Sequence, residues 1–178
     1  MTIGRQEELL LYILTGEIGI GKTLLCRRLA LKAEQNGLTC GGIISVRDSC
    51  GGRKVVDIAG NTSAPLARRS RLWISRLGSR YTFFQSGFDF GNRVLNQYRD
   101  AYLLIIDELG RMEKKGQGFF SALSILNNRA QQPTLVVVRK NLLHFYSERL
   151  SCNYKRYELT RLNRSYLAND ILSDMRQE

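Results

Sequence analysis

Two clusters in this chain combine residue types that can handle phosphate. The first is Gly16-Glu17-Ile18-Gly19-Ile20-Gly21-Lys22-Thr23, which has the spacing G-x-x-x-x-G-K-[ST]. Glycines let a backbone curl until successive N–H groups point into one concavity. A helix starting near Lys22 would aim its positive dipole end at the same place. Lys22 could then reach β- and γ-phosphates, and the Thr23 hydroxyl could coordinate Mg²⁺. The candidate binding residues are Gly16, Glu17, Ile18, Gly19, Ile20, Gly21, Lys22, Thr23 and Leu24. Glu17 occupies a variable position of the pattern. Its N–H can serve the cradle while its carboxylate faces solvent, so it is not expected to be a side-chain ligand.

The second cluster is Asp107-Glu108, at the end of the apolar run YLLIIDEL (102–109) and roughly 85 residues downstream of the first. A buried strand ending in Asp delivers a carboxylate to a Mg²⁺ shell, so Asp107 is the second candidate metal ligand beside Thr23. Strand alternation would point Glu108 elsewhere, toward a water beside the γ-phosphate. There it could orient and deprotonate that water. Glu108 and Lys22 are therefore the candidate catalytic residues.

Such residues need strands and helices to place them. Leu9 to Leu14 reads as a buried strand, and Lys22 to Asn36 as a helix whose stop is Asn36-Gly37. TCGGIISV (39–46) and RKVVDIA (53–59) read as strands joined by a DSCGG hairpin turn. Residues 61–80 look irregular and basic, followed by a short strand at YTFF (81–84). Helices are expected within 88–98, around 118–129, near 141–150 and over 163–175. Further strands are expected at 102–106, 134–138 and 157–160. Strands alternating with helices predict an α/β fold with a largely parallel core sheet. No repeat or linker divides residues 1–178, which predicts one domain.

Composition sets outer limits. Of 178 residues, 43% are hydrophobic and 24% charged, which suits a globular chain rather than a disordered one. The net charge of +11 favours anionic partners: nucleotides, nucleic acid or an acidic surface. The cysteines at 26, 40, 50 and 152 form no CxxC pair, and the one histidine, His144, has no cysteine nearby, so zinc is not expected. No apolar run approaches the ~18 residues of a membrane span. A cytoplasmic protein with reduced thiols is the expectation.

GEIGIGKT, the GGIISV strand and above all IIDELGRME (105–113) together resemble the small nucleoside-triphosphatase family, of the cancer-related nucleoside-triphosphatase type. YELTRLNR (157–164) is similar to that family's strand-then-Asn-Arg segment. The resemblance implies a RecA-like P-loop fold in three layers, with a largely parallel central sheet plus a β-hairpin. It also implies Mg²⁺-dependent hydrolysis of NTP to NDP and phosphate, with broad base tolerance and slow turnover. The segment VVVRKNLLHFYSERL departs from the family by lacking its Pro-containing loop.

Several side chains keep two readings. Glu113 could cap a helix or tune the catalytic water. Arg111 could contact phosphate or face solvent. The tract Arg68, Arg69, Arg71, Arg76, Arg80 could supply an arginine to the γ-phosphate, form a solvated face or contact RNA. Arg164 could lie near base or ribose, or cap the last helix. Trp73, Tyr81, Phe83 and Phe84 could stack on a base or pack in the core. Two other functions fit the phosphate cradle: a small-molecule kinase, and a nucleotide-controlled RNA- or protein-binding ATPase.

Overall fold

A computed structural model describes residues 11–70, 81–129, 132–150 and 153–177. The elements run β1 (Leu11–Gly16), α1 (Lys22–Gln35), β2 (Cys40–Arg47), β3 (Arg53–Asp57), β4 (Ser63–Arg69), β5 (Tyr81–Phe83) and α2 (Gln85–Gln97). They continue with β6 (Leu103–Leu109), α3 (Ser121–Asn128), β7 (Thr134–Val138), α4 (Leu143–Ser147), β8 (Tyr154–Leu159) and α5 (Leu167–Gln177).

All eight strands form one sheet in the order β5-β4-β3-β2-β6-β7-β1-β8. The segment β2-β6-β7-β1-β8 is parallel; β3, β4 and β5 extend it as an antiparallel meander. β1, β6 and β7 are continuous apolar runs because both of their faces are covered. On one face Leu25, Cys26, Leu29 and Ala33 of α1 pack with Ile171 and Met175 of α5 against Tyr12, Leu14, Ile105 and Val137. On the other face Phe88 and Leu95 of α2, Ala122 and Leu126 of α3 and Tyr146 of α4 pack against Ile13, Leu104, Ile106 and Val136. These are the three expected layers.

The Gly-Gly pair at the start of β2 has a steric reason. A Cβ on Gly42 (φ 118°) would lie 2.0 Å from the carbonyl oxygen of Ile105 on β6. Only glycine lets the hairpin strand approach the Asp107 strand this closely.

One expectation is corrected. Residues 61–80 were expected to be irregular, yet Ser63–Arg69 forms β4. The segment hides itself because Pro65 cannot donate to a ladder and breaks the alternation. Pro65 is tolerated beside a register shift at Arg53/Lys54, where the strand is locally irregular. Among the described residues, no helix is long and apolar enough to cross a membrane.

Candidate active site

β1 ends at Gly16 and α1 starts at Lys22, so residues 17–21 curl over the carboxyl edge of the sheet. The curl uses φ values of 144° at Gly16, 81° at Gly19 and 110° at Gly21. Gly21 caps α1 without a side-chain bond, and no acid lies in the first turn. The first amides of α1 therefore face the cradle without a side-chain acceptor, as anion binding requires. Lys22 Nζ donates to the carbonyl oxygens of Gly16 (2.7 Å) and Glu17 (2.8 Å), folding the ammonium across the loop it serves.

The two sequence clusters meet. Thr23 Oγ1 donates to Asp107 Oδ2 at 2.7 Å across 84 residues of chain. The Ser45 amide donates to the same carboxylate oxygen at 3.4 Å. Asp107 is only 3% exposed. Burial pushes its carboxyl up to about 6, Glu108 next to it pushes the same way, and the Thr23 hydroxyl works against both. Arg53 also favours the charged form, and its Nη1 donates to Ser45 Oγ at 3.2 Å.

Glu108, joined to Asp107 by a cis peptide bond, accepts a hydrogen bond from Arg139 Nε. Arg139 follows β7 directly, the strand lying between β1 and β6. Beneath this pair Glu113 is buried. Its two oxygens accept the amides of Gly110 (2.8 Å) and Phe119 (3.0 Å). Tyr146 donates to the Gly110 carbonyl at 2.6 Å. Both carboxylate oxygens of Glu113 thus fix the loop after β6.

Glu17 faces solvent, as expected. Lys140 Nζ lies 3.7 Å from its carboxylate and 2.9 Å from that of Glu158, tying the cradle to the edge strand β8. Behind the cradle is a cavity of about 200 Å³ lined by Ile20, Gly21, Leu24, Leu25, Leu159, Arg28 and Arg164. Arg28 Nη1 donates to the Arg164 carbonyl at 3.4 Å.

Comparison with known proteins decides the family. The profile of the family described as NTPase matches residues 11–172 of the chain. The chain belongs to the NTPase family. It is 31% identical over 172 residues to nucleoside-triphosphatase THEP1 of Pyrococcus abyssi, covering 93% of this chain and 92% of that protein. It is 30% identical over 170 residues to the protein of the same name in Methanopyrus kandleri, covering 90% of this chain and 92% of that one. The crystal structure of THEP1 from the hyperthermophile Aquifex aeolicus superimposes with a TM-score of 0.74, at 22% identity over 93% of this chain and 98% of that chain. That likeness shows the shared fold.

In this NTPase the order β6-β7-β1 puts one strand between the cradle strand and the Asp107 strand. Two members of the arginine tract lie within the described residues. Arg68 and Arg69 are exposed on β4, with two strands between them and β6, about 14 Å across the sheet. Arg71, Arg76, Arg80 and Trp73 lie outside the described residues. Arg111 is exposed, and His144 is a surface residue 3.3 Å from Glu148. Phe83 stacks on Phe88 at 5.6 Å, a packing role. The reading of single motifs missed Arg53, Arg139 and Lys140. The available signal was positional: each sits at an end of a strand adjoining β1, β2 or β6.

The Asp107 carboxyl yields a pH prediction for the nucleotide-free NTPase. Its folded value of about 6 lies above the usual 3.8, so between these pH values the folded chain binds more protons than the unfolded chain. Stability from this group therefore falls as pH rises through that window, by about 3 kcal/mol at most, and is flat above it. Asp107→Asn keeps an oxygen for Thr23 and Ser45 but does not titrate. Urea denaturation should show the variant gaining on the parent between pH 4 and pH 6.5. A pH-independent difference would contradict this assignment.

Proposed function

We propose that the chain is a Mg²⁺-dependent nucleoside triphosphatase that converts NTP to NDP and phosphate, slowly and with broad base tolerance. One observation carries the reading. Thr23 Oγ1 and the buried Asp107 Oδ2 meet at 2.7 Å beside a helix N-terminus without a side-chain cap, with Glu108 next in the chain.

The donors fit the metal. A hydroxyl and one carboxylate are hard oxygen ligands, the set Mg²⁺ uses together with substrate phosphates and retained waters. Among the described residues no group of three or more His, Cys, Asp and Glu forms an all-protein cage. Thr23 and Asp107 would hold the ion, which neutralises charge on the phosphates when bound. The chain's own residues do the rest. The amides of the 17–23 turn hold the polyphosphate. Lys22 moves from the Gly16 and Glu17 carbonyls onto phosphate oxygens. Glu108 orients a water and takes its proton.

Base tolerance is supported by the cavity behind the cradle. Its walls are the aliphatic Ile20, Leu24, Leu25 and Leu159, and its polar side chains are the two arginines 28 and 164. Among the described residues no acidic or amide side chain lines it to read a base edge. A site that hydrogen-bonds a substrate group rejects its analogue by roughly 10⁴-fold or more, whereas an apolar slot discriminates weakly. Slow turnover is supported by the pairing of Glu108 with Arg139, which occupies the carboxylate before catalysis.

The test is a phosphate-release assay over ATP, GTP, CTP and UTP with product identification. The expected kcat/KM values lie within about tenfold of one another. Release should need no alcohol acceptor, should stop with EDTA, and should leave NDP. One base preferred by about 10⁴-fold would overturn the tolerance, and dependence on an added acceptor would favour a kinase.

A further inference from the structure

Arg139 stands where two halves of the site adjoin. Pairing runs Leu14↔Val137 on the β1 side and Leu109↔Val138 on the β6 side. Continued past the strand ends, that register sets Arg139 between Gly16, where the cradle begins, and Gly110, which follows the Asp-Glu pair. Gly110 adjoins both side chains: a Cβ there would lie 3.6 Å from Arg139 Nε and 3.8 Å from Glu108 Oε1, ordinary contact distances. Arg139 commits its Nε to Glu108. Among the described residues its Nη1 and Nη2 make no hydrogen bond, and 40% of its side chain is open to solvent.

The other cations at this edge are engaged elsewhere. Lys140 is held by Glu158 and Glu17, and Arg53 by Ser45. Lys22 carries the phosphate role already given to it. Arg139 alone in this set combines contact with the Glu108 carboxylate and open guanidinium donors.

We propose that Arg139 is a catalytic residue that alternates between two anions. Without nucleotide it holds Glu108. With a triphosphate in the cradle, its Nη donors take the γ-phosphoryl oxygens and the carboxylate is released to the attacking water. The water oxygen then bonds to the γ-phosphorus as the bond from that phosphorus to the β–γ bridging oxygen breaks. NDP leaves with the electron pair of that bond. The proton of the water passes to Glu108 and on to solvent. The guanidinium meets charge where it develops, the place at which one fixed donor is worth about 10²- to 10³-fold in rate. The exchange also keeps Glu108 occupied until a γ-phosphate arrives. This inference rests on the hydrolase reading above and names a residue that reading does not include.

The experiment measures affinity for Mg·ADP and for Mg·ADP with aluminium fluoride, a mimic of the transferring phosphoryl group. It uses the full chain as parent, Arg139→Ala, Arg139→Lys, Glu108→Gln and the Ala/Gln double variant, with thermal unfolding of each. Arg139→Ala should bind ADP within about threefold of the parent and lose about 100-fold of affinity for the mimic. It should lose turnover by a similar factor. Arg139→Lys should recover part of both, since it restores charge without the planar fork. In the Glu108→Gln background, Arg139→Ala should still weaken the mimic. A parent-like ratio of mimic to ADP affinity in Arg139→Ala or Arg139→Lys overturns the proposal. So does a loss that disappears in the Glu108→Gln background, which would make Arg139 a positioning residue only. Full turnover in Glu108→Gln would instead overturn the hydrolase reading, and the affinity ratio of Arg139→Ala does not depend on that result.

Discussion

Glu108→Gln is expected to bind Mg·ATP as the parent does and to lose about 10²- to 10⁴-fold of its phosphate release. The factor is that of a positioned general base. Glutamine preserves the shape and can still accept the hydrogen bond from Arg139 Nε. It cannot take a proton from water. The cradle's own hydrogen bonds are kept, because Lys22 donates to Gly16 and Glu17 and Thr23 donates to Asp107. Removing a negative charge near a polyphosphate does not weaken its binding. Calorimetry with a slowly hydrolysed ATP analogue and a phosphate-release assay at saturating Mg·ATP separate the two effects. Unchanged turnover would remove Glu108 from the chemistry.

Lys22→Ala should fail at the earlier step. Its ammonium now rests on the Gly16 and Glu17 carbonyls at 2.7 and 2.8 Å, a partly buried position from which it moves to phosphate. A charge-assisted hydrogen bond contributes about 1.5–3 kcal/mol. At about 1.4 kcal/mol per tenfold, the variant should bind Mg·ATP roughly 10- to 150-fold more weakly. The nucleotide-free fold should change little, because one of the released carbonyls is exposed and water can replace the ammonium. Parent-like affinity by calorimetry would show that the turn does not hold the phosphates. The two variants thus split binding from chemistry: one spares affinity, the other removes it.

The cradle and Asp107 were legible in the sequence because their chemistry is local. Three glycines, a lysine and a threonine at fixed spacing can do little else, and an apolar run ending in Asp follows from burial on both sheet faces. β4 was not legible, since Pro65 sits at a register shift that a pattern of alternation cannot represent. Arg139 was hidden for another reason. Its meaning depends on β7 lying between β1 and β6, and 31 residues separate it from Glu108. Composition drew attention instead to the arginines of 68–80, whose described members, Arg68 and Arg69, are on the far meander. Charge density along a chain carries no information about which strand neighbours which. Arg53 illustrates the same point: the β2–β3 pairing returns it to Ser45 and hence to Asp107.

The central claim is that one turn grips a triphosphate while two adjoining acids serve its metal and its water. A crystal structure of the chain with Mg²⁺ and a non-hydrolysable NTP analogue tests it most directly. We expect the β- and γ-phosphates inside the 17–23 turn, Lys22 Nζ within about 3 Å of their oxygens, and Glu108 within hydrogen-bond reach of a water beside the γ-phosphorus. An analogue bound elsewhere with that turn empty, or Asp107 and Glu108 remote from the γ-phosphate, would contradict the account.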